Sequence, residues 1–332
     1  MTAQPLGFSG PAHVSARTRH GWSKALRLAP DLYPGVGGKR LRAALLEGAH
    51  AFAGGRGAAP GEFVDAVEML HAGALVIDDF EDDSHTRRGQ PALHRVIGPA
   101  RAVNAGNWMY FRALELVATV GGDPGRSAAV VSRFITVARQ CHEGQAIDLS
   151  TPVDEVTPRE ALVTALAISR WKTGRLTSLA AWCGAHAAAG DPDTLRAVAA
   201  FGCRVGICLQ MKNDLDELAG LVDGADRCDD LRNRRVTWPW AWAAAELSAG
   251  RFAALQRRLR VATGTTSACR ALAHDLLDAT HGRAVAAINT RLARAVERLA
   301  AAADGGRDPG PLAAVASALV IGAEPVSAEA AS

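Results

Sequence analysis

EMLHAGALVIDDFEDDSHTRRGQPALH, residues Glu68 to His94, is the stretch whose reading decides the fold. Its apolar lead-in (Met69, Leu70, Ala72, Ala74, Leu75, Val76, Ile77) has the spacing of a buried helix, and Asp78, Asp79 and Asp82 follow at i, i+1 and i+4. Three carboxylates therefore leave one end of an apolar helix together. Alone they read more readily as a solvated acidic helix end than as oxygen ligands gathered for hard cations, the latter because repulsion in a partly dry site needs neutralising. Arg87 and Arg88 follow within two turns and favour the second reading. Carboxylates suited to magnesium beside a pair of guanidinium forks describe a place where a di- or triphosphate is held.

The rest of the chain bounds that reading. At 332 residues and 48% hydrophobic it has material for a sizeable core. A formal charge of +3 against 37 basic and 34 acidic residues gives no bulk reason for nucleic-acid binding, so any basic site must be local. Six cysteines (Cys141, Cys183, Cys203, Cys208, Cys228, Cys269) lack C-x-x-C spacing, which argues against zinc and for reduced thiols. The expectation is a soluble cytoplasmic protein with no signal peptide and no run apolar enough to enter a membrane stably. Arginine is the default cation: only Lys24, Lys39, Lys172 and Lys212 are lysines, against 33 arginines, so each lysine invites a reason. A compact ammonium aimed at a phosphate oxygen is one.

Outward from the opening stretch, periodicity is helical throughout. Residues 1–20 read as a loose arm, 21–320 as one all-α domain of many helices, and 321–332 as a disordered tail. Gly37 and Gly38 precede the run Leu41, Ala44, Leu45, Ala49, and Lys39, Arg40 and Arg42 crowd its first turn. Such charges oppose the helix dipole by about 0.3 to 1 kcal/mol each, a cost that an arriving anion reverses; an ordinary cationic surface turn reads as well. A later helix carries bulky Trp108, Phe111 and Leu114 on or near one face, and the next carries Gln145 and Asp148, either a structural polar pair or a ligand contact. Thr157–Glu160 forms a capping box that opens an apolar helix containing Lys172 and Thr173; a lysine placed inward there needs an anionic partner. Gln210, Asn213, Asp214 and Glu217 form a second stripe of oxygen ligands, and the two acidic clusters are expected to project into a shared apolar interior. No strand alternation is visible.

These residues resemble the trans-isoprenyl diphosphate synthase family, most closely its short-chain members that make geranylgeranyl diphosphate. The resemblance runs from about Gly37 to Pro239 through six collinear motifs: GGKRLR, EMLH ahead of DDxxD, RRGxPxxH, GQxxDL, KTG and the glutamine-containing second acidic motif. It implies a helical bundle around a central apolar cavity. It further implies magnesium, three ions per site, on Asp78, Asp79 and Asp82 from the first cluster and Asn213, Asp214 and Glu217 from the second. Lys39, Arg42, His71 and Arg88 then correspond to the pocket for isopentenyl diphosphate. Arg87, Lys172, Lys212 and Arg235 correspond to groups on the allylic diphosphate, with Thr173 and Gln210 beside them. Asp78, Asp79, Lys172 and Asp214 are the residues expected to carry catalysis, and a homodimer is implied by the same analogy.

Gly73 and Ala74 are small and leave room for a growing chain, with Trp108 as a floor or simply as core, which favours a twenty-carbon product over a much longer one, with fifteen carbons next. The chain departs from the family pattern at four places. Asn213 stands for an aspartate, Leu209 for a phenylalanine, Ala43 for a proline, and Arg234-Arg235 for a Gly-Lys pair. Those departures keep two other readings open: a terpene cyclase or irregular prenyltransferase on the same scaffold, and a diphosphate-binding partner subunit without activity.

Overall fold

The computed structural model describes Ser15, Arg17, Leu26, residues 41–118, Val120, and residues 124–222, 228–303 and 306–322. The expected arm and tail, the glycine pair Gly37-Gly38 and Lys39 lie outside the described residues, apart from Ser15, Arg17, Ile321 and Gly322. The described chain is all-α, and it gathers into two compact units: residues up to Ala43 with Pro60–Ile135, and Ala44–Ala59 with Thr136 onward. Helix α1 (Leu41–Phe52) and helix α5 (Pro124–Ser150) each run from one unit into the other.

The first unit is built on α2 (Gly61–Glu81) and α4 (Pro99–Ala118), joined through the short α3 (Leu93–Ile97). Phe63, Ala66, Val67, Leu70, Gly73 and Val76 recur at helical spacing and form the buried face of α2. Gly73 meets α4 at Gly106, where a Cβ on Gly73 would lie 2.9 Å from the Gly106 carbonyl oxygen, so the two glycines let the backbones approach. Around that crossing Leu26, Ala72, Val76, Leu93, Ala102, Ala105 and Met109 form an apolar cluster. Helix α2 stops just past its aspartates because Asp83 adopts the left-handed conformation, φ 52°. A two-residue antiparallel hairpin follows, pairing Thr86 with Pro91 and Arg87 with Gln90. It is the one strand pairing among the described residues, and period-2 alternation could not reveal it because each strand has only two residues. Its turn, Arg88 (φ 53°) and Gly89 (φ 76°), takes positive φ at both positions, as a type I′ turn requires.

The second unit contains α6 (Pro158–Ile168), α7 (Arg175–Ala187), α8 (Pro192–Val222), α9 (Asp229–Arg232), α10 (Trp238–Glu246), α11 (Ala249–Ala262), α12 (Thr266–Ala301) and α13 (Gly310–Ser317). The capping box is present: the Thr157 N–H donates to Glu160 Oε2 over 2.8 Å and the Glu160 N–H to Thr157 Oγ1 over 3.3 Å. Between α6 and α7, Ser169–Gly174 is wound as a π-helix, a local widening that the apolar periodicity did not announce. Helix α8 corrects the expectation that no run could enter a membrane, because its 30 residues Pro192–Leu221 are long and apolar enough to cross one. Half of its most apolar window is buried against its neighbours, as the core helix of a bundle requires. Gly202 and Gly206 bring α8 against α7 and the π-turn, where a Cβ on Gly206 would lie 3.1 Å from the Thr173 carbonyl oxygen.

Candidate active site

The first acidic cluster sits where α2 ends. Asp79 is fully buried at the last turn, Asp78 and Asp82 are partly exposed, and Arg87 reaches back from the hairpin. Its Nε donates to Asp79 Oδ1 over 2.7 Å and its Nη2 to Asp78 Oδ2 over 3.4 Å; Nη2 also contacts Asp79 Oδ1. The hairpin thus holds a guanidinium on two of the three carboxylates, where the spacing suggests a fork facing a diphosphate. Among the described residues no three acidic, histidine or cysteine side chains are gathered closely enough to form a metal cage.

His71, half-buried two turns before Asp78, has its pKa well below the ordinary histidine value. Burial is the main cause, followed by the positive charges of Arg42, Arg88 and Arg87. Residues far apart in sequence therefore share one electropositive neighbourhood around a neutral imidazole, with Arg88 exposed at the tip of its turn. His94, the last residue of RRGxPxxH, was not singled out as a site residue. It is buried, its ring meets Phe80 edge-on at 6.1 Å, and its pKa is lowered, chiefly by burial. The motif spacing was its only signal.

The second cluster forms a hydrogen-bonded chain. Thr173 Oγ1 donates to Gln210 Oε1 over 2.6 Å, Gln210 Nε2 donates to Asp214 Oδ1 over 2.7 Å, and the Trp238 backbone N–H donates to Asp214 Oδ2 over 2.9 Å. The π-turn directs Thr173 toward α8, and Gln210 and Asp214 follow at i and i+4 along that helix. Burial pushes the pKa of Asp214 up to about 7; the bonds from Trp238 and Gln210 oppose it, and the charges of Glu217 and Asp148 add to it. Asn213 is exposed and Glu217 half-buried.

Lys172 finds the anionic partner that its inward placement required, with Nζ donating to Asp148 Oδ2 over 2.6 Å. Arg235, itself buried, donates to the Asp148 carbonyl oxygen over 2.9 Å. Asp148 is thus the anchor of two cations, one on its carboxylate and one on its carbonyl oxygen. Lys212 stands apart from this network, paired with Asp216 one turn along its own helix at 2.8 Å.

Two of the departures acquire physical accounts. Arg234, at the position of a family glycine, has φ 55°, the left-handed conformation a glycine adopts without strain. Its guanidinium meets buried Asp154 at 3.2 Å, and Arg260 meets the same carboxylate at 2.8 Å. Asn213 is exposed and can change without disturbing the core. Nothing in the structure explains Leu209 or Ala43.

The bulky face expected on α4 is corrected. The buried face is Ala102, Ala105, Gly106, Met109, Ala113 and Val117, whereas Phe111 is 70% exposed. Trp108 is partly buried and packs against the apolar cluster of the first unit, and Gly73 is in helix contact with Gly106. Ala74 is half-buried.

The polyprenyl synthetase family model matches residues 24–276, about three quarters of the chain. The chain belongs to the polyprenyl synthetase family. Within the family it is 29% identical over 208 residues to geranylgeranyl pyrophosphate synthase 2 of Zymoseptoria tritici, covering 61% of this chain and 59% of that one. It is 32% identical over 198 residues to geranylgeranyl diphosphate synthase of Methanosarcina mazei, covering 58% and 60%. The matched part thus spans roughly three fifths of these relatives. Farnesyl diphosphate synthase of Geobacillus stearothermophilus is 28% identical over 237 residues, covering 68% and 78%. Polyprenyl synthetase from Streptomyces coelicolor superposes with a TM-score of 0.70 at 25% identity, covering 92% of this chain and 98% of that one. Heptaprenyl diphosphate synthase from Staphylococcus aureus gives 0.74 at 20% identity, covering 91% and 95%, so the family fold is shared across names that differ in chain length.

Proposed function

We propose that the protein is a magnesium-dependent prenyltransferase that condenses isopentenyl diphosphate head-to-tail with an allylic diphosphate, giving a short-chain prenyl diphosphate, with geranylgeranyl diphosphate favoured and farnesyl diphosphate next. The observation that carries this reading is the grouping of Arg42, Arg87 and Arg88 around His71. A second diphosphate pocket is what a condensation needs and a cyclisation of one substrate does not.

Each cluster's donors fit magnesium: Asp78, Asp79 and Asp82, and likewise Asn213, Asp214 and Glu217, offer only oxygen. The pKa of Asp214 is raised chiefly by burial, with the charges of Glu217 and Asp148 adding to it, and a bound cation would favour its ionised form against both. When bound, magnesium would neutralise charge growing on the departing diphosphate. The protein's own part is electrostatic and positional. Arg87, Lys172 and Arg235 hold positive charge for the leaving group, Lys212 adds to it, and Thr173 and Gln210 orient Asp214. Lys39, Arg42, His71 and Arg88 hold the acceptor diphosphate, with neutral His71 serving as a hydrogen-bonding partner. The allylic C–O bond ionises, the acceptor double bond attacks the carbocation, and a proton leaves to the departing diphosphate. Apolar walls exclude water from the cation.

We further propose a homodimer in the cytoplasm. The 70% exposure of Phe111 and 51% of Ile135 are in keeping with a covered surface, and light scattering on the purified protein tests it. The reaction is tested by incubating the protein with magnesium, isopentenyl diphosphate and each allylic diphosphate in turn. Elongated prenyl diphosphates support it, whereas a hydrocarbon or irregular product, or no product with any donor, contradicts it. Asn213→Asp should lower the magnesium concentration needed for half-maximal rate, and an unchanged requirement removes Asn213 from the ligand set.

A further inference from the structure

Between α8 and α12, within the second unit, lies a cleft of about 530 Å3, in the size range of small-molecule sites. Five guanidinium groups line it: Arg204 from α8 and Arg283, Arg291, Arg294 and Arg298 from α12. Among the described residues the lining carries no carboxylate, and of the five only Arg283 is paired with one, Glu246. In an arginine-rich chain a positive surface is unremarkable by itself, but the surroundings differ. Some surface arginines elsewhere have carboxylate partners, as Arg258 with Asp275, Arg196 with Asp193 and Arg139 with Glu143, and others, such as Arg101 and Arg159, stand singly among the described residues. In the cleft, Arg291, Arg294 and Arg298 instead repeat at i+3 and i+4 on one helix face. Such like-charge spacing disfavours a helix by about 0.2 to 0.5 kcal/mol per pair. An anion seated across several planar forks reverses that penalty and gains bidentate hydrogen bonds. Ile207, Ala286 and Ala287 add apolar surface to the lining, against which a hydrocarbon portion of a ligand could pack.

The cleft is connected to the second acidic cluster. The Arg291 guanidinium lies over the Trp238 ring, 5.8 Å from its centroid, and the Trp238 backbone N–H holds Asp214 at 2.9 Å. We propose that this cleft is a second anion site, separate from the catalytic clusters, that takes a phosphate- or diphosphate-bearing organic molecule and communicates with Asp214 through Arg291 and Trp238. A concave site with converging forks suits a compact polyanion better than the flat face of an anionic bilayer. The link to catalysis rests on the reading of Asp214 given above; the binding itself does not.

The test is equilibrium dialysis of labelled inorganic pyrophosphate against the full chain in EDTA, where magnesium-dependent binding is silent. Wild type, Arg88→Ala and the double variant Arg294→Gln/Arg298→Gln are compared, with circular dichroism melting to confirm folding. Both substituted side chains of the double variant are exposed, so folding should be retained. Binding that persists in Arg88→Ala and weakens at least tenfold in the double variant supports the site. Farnesyl diphosphate then identifies the occupant: tighter displacement than by pyrophosphate assigns the apolar lining to a prenyl tail, and equal displacement assigns a free diphosphate. A double variant that binds pyrophosphate as wild type overturns the proposal. So does co-sedimentation of wild type with phosphatidylglycerol vesicles, run alongside, that the double variant loses while its pyrophosphate binding is unchanged, which would make the stripe a membrane contact. Because binding is read without turnover, its failure leaves the proposed reaction standing.

Discussion

Arg87 reaches across eight residues to place its guanidinium on Asp79, Nε to Oδ1 at 2.7 Å, and the carboxylate it neutralises is wholly buried. A buried carboxylate stripped of its partner costs about 3 to 5 kcal/mol, less where water can reach. Arg87→Ala should therefore lower stability by about 3 kcal/mol in EDTA, and magnesium should recover part of the loss by replacing the missing charge. Thermal unfolding with and without magnesium measures both; an EDTA melting temperature equal to wild type would remove Arg87 as the neutralising group.

Asp214 yields a pH prediction of the opposite sign from most carboxylates. Its folded pKa, about 7, lies above its unfolded value, so between the two the folded protein binds the extra proton. Without divalent metal, stability should rise as pH falls from about 8 toward 5, by an amount on the order of a few kcal/mol, and Asp214→Asn should flatten that slope. Metal binding must displace the same proton, so the magnesium requirement should fall as pH rises through 7. Chemical unfolding across that range decides it; an equal slope in Asp214→Asn contradicts the assignment.

Asp154 behaves conventionally. Burial works against its charge, but the hydrogen bond from Arg260 and the charges of Arg234 and Arg260 outweigh it and hold its pKa below the usual carboxylate value. Its contribution is present above the unfolded pKa and lost as pH falls through the folded one, so Asp154→Asn should cost about 2 to 4 kcal/mol at neutral pH and reduce the acid sensitivity of the fold. Arg234→Gly should change stability by less than about 1 kcal/mol, because relief of left-handed backbone strain offsets a partly exposed ion pair. Urea unfolding of the two variants should separate them, and equal losses would refute this account of Arg234.

Gly206 lies where α8 meets the π-turn, and Thr177 donates to the Thr173 carbonyl there at 3.0 Å. Gly206→Ala should destabilise by about 1 to 3 kcal/mol and shift Gln210 away from Thr173, lowering kcat more than tenfold. A variant with wild-type kcat would show that the π-turn does not position the second cluster.

Much of this site was legible because short-range spacing carried it. Asp78, Asp79 and Asp82 on a helix end, the box at Thr157 and Glu160, and the stripe from Gln210 to Glu217 are all set by 3.6-residue geometry. The features that escaped depend on tertiary contact. The Lys172 side chain showed the need for an anion, but only the fold chose Asp148, 24 residues away. The Trp238 amide on Asp214, the π-turn at Ser169–Gly174 and the Arg234 pairing with Asp154 belong to the same class. On α4, size misled: small Ala102, Ala105 and Gly106 face the core because α2 approaches closely there, leaving Phe111 outside. Single bulky residues are weak guides where glycines set helix separation.

The most direct measurement of the central claim is product analysis after incubation with magnesium, isopentenyl diphosphate and farnesyl diphosphate, for wild type and Asp79→Ala side by side. Geranylgeranyl diphosphate from wild type, its absence in EDTA and a loss of at least a thousandfold in Asp79→Ala are the expected results. Elongation that proceeds equally well without magnesium, or at a near-normal rate in Asp79→Ala, would contradict the account.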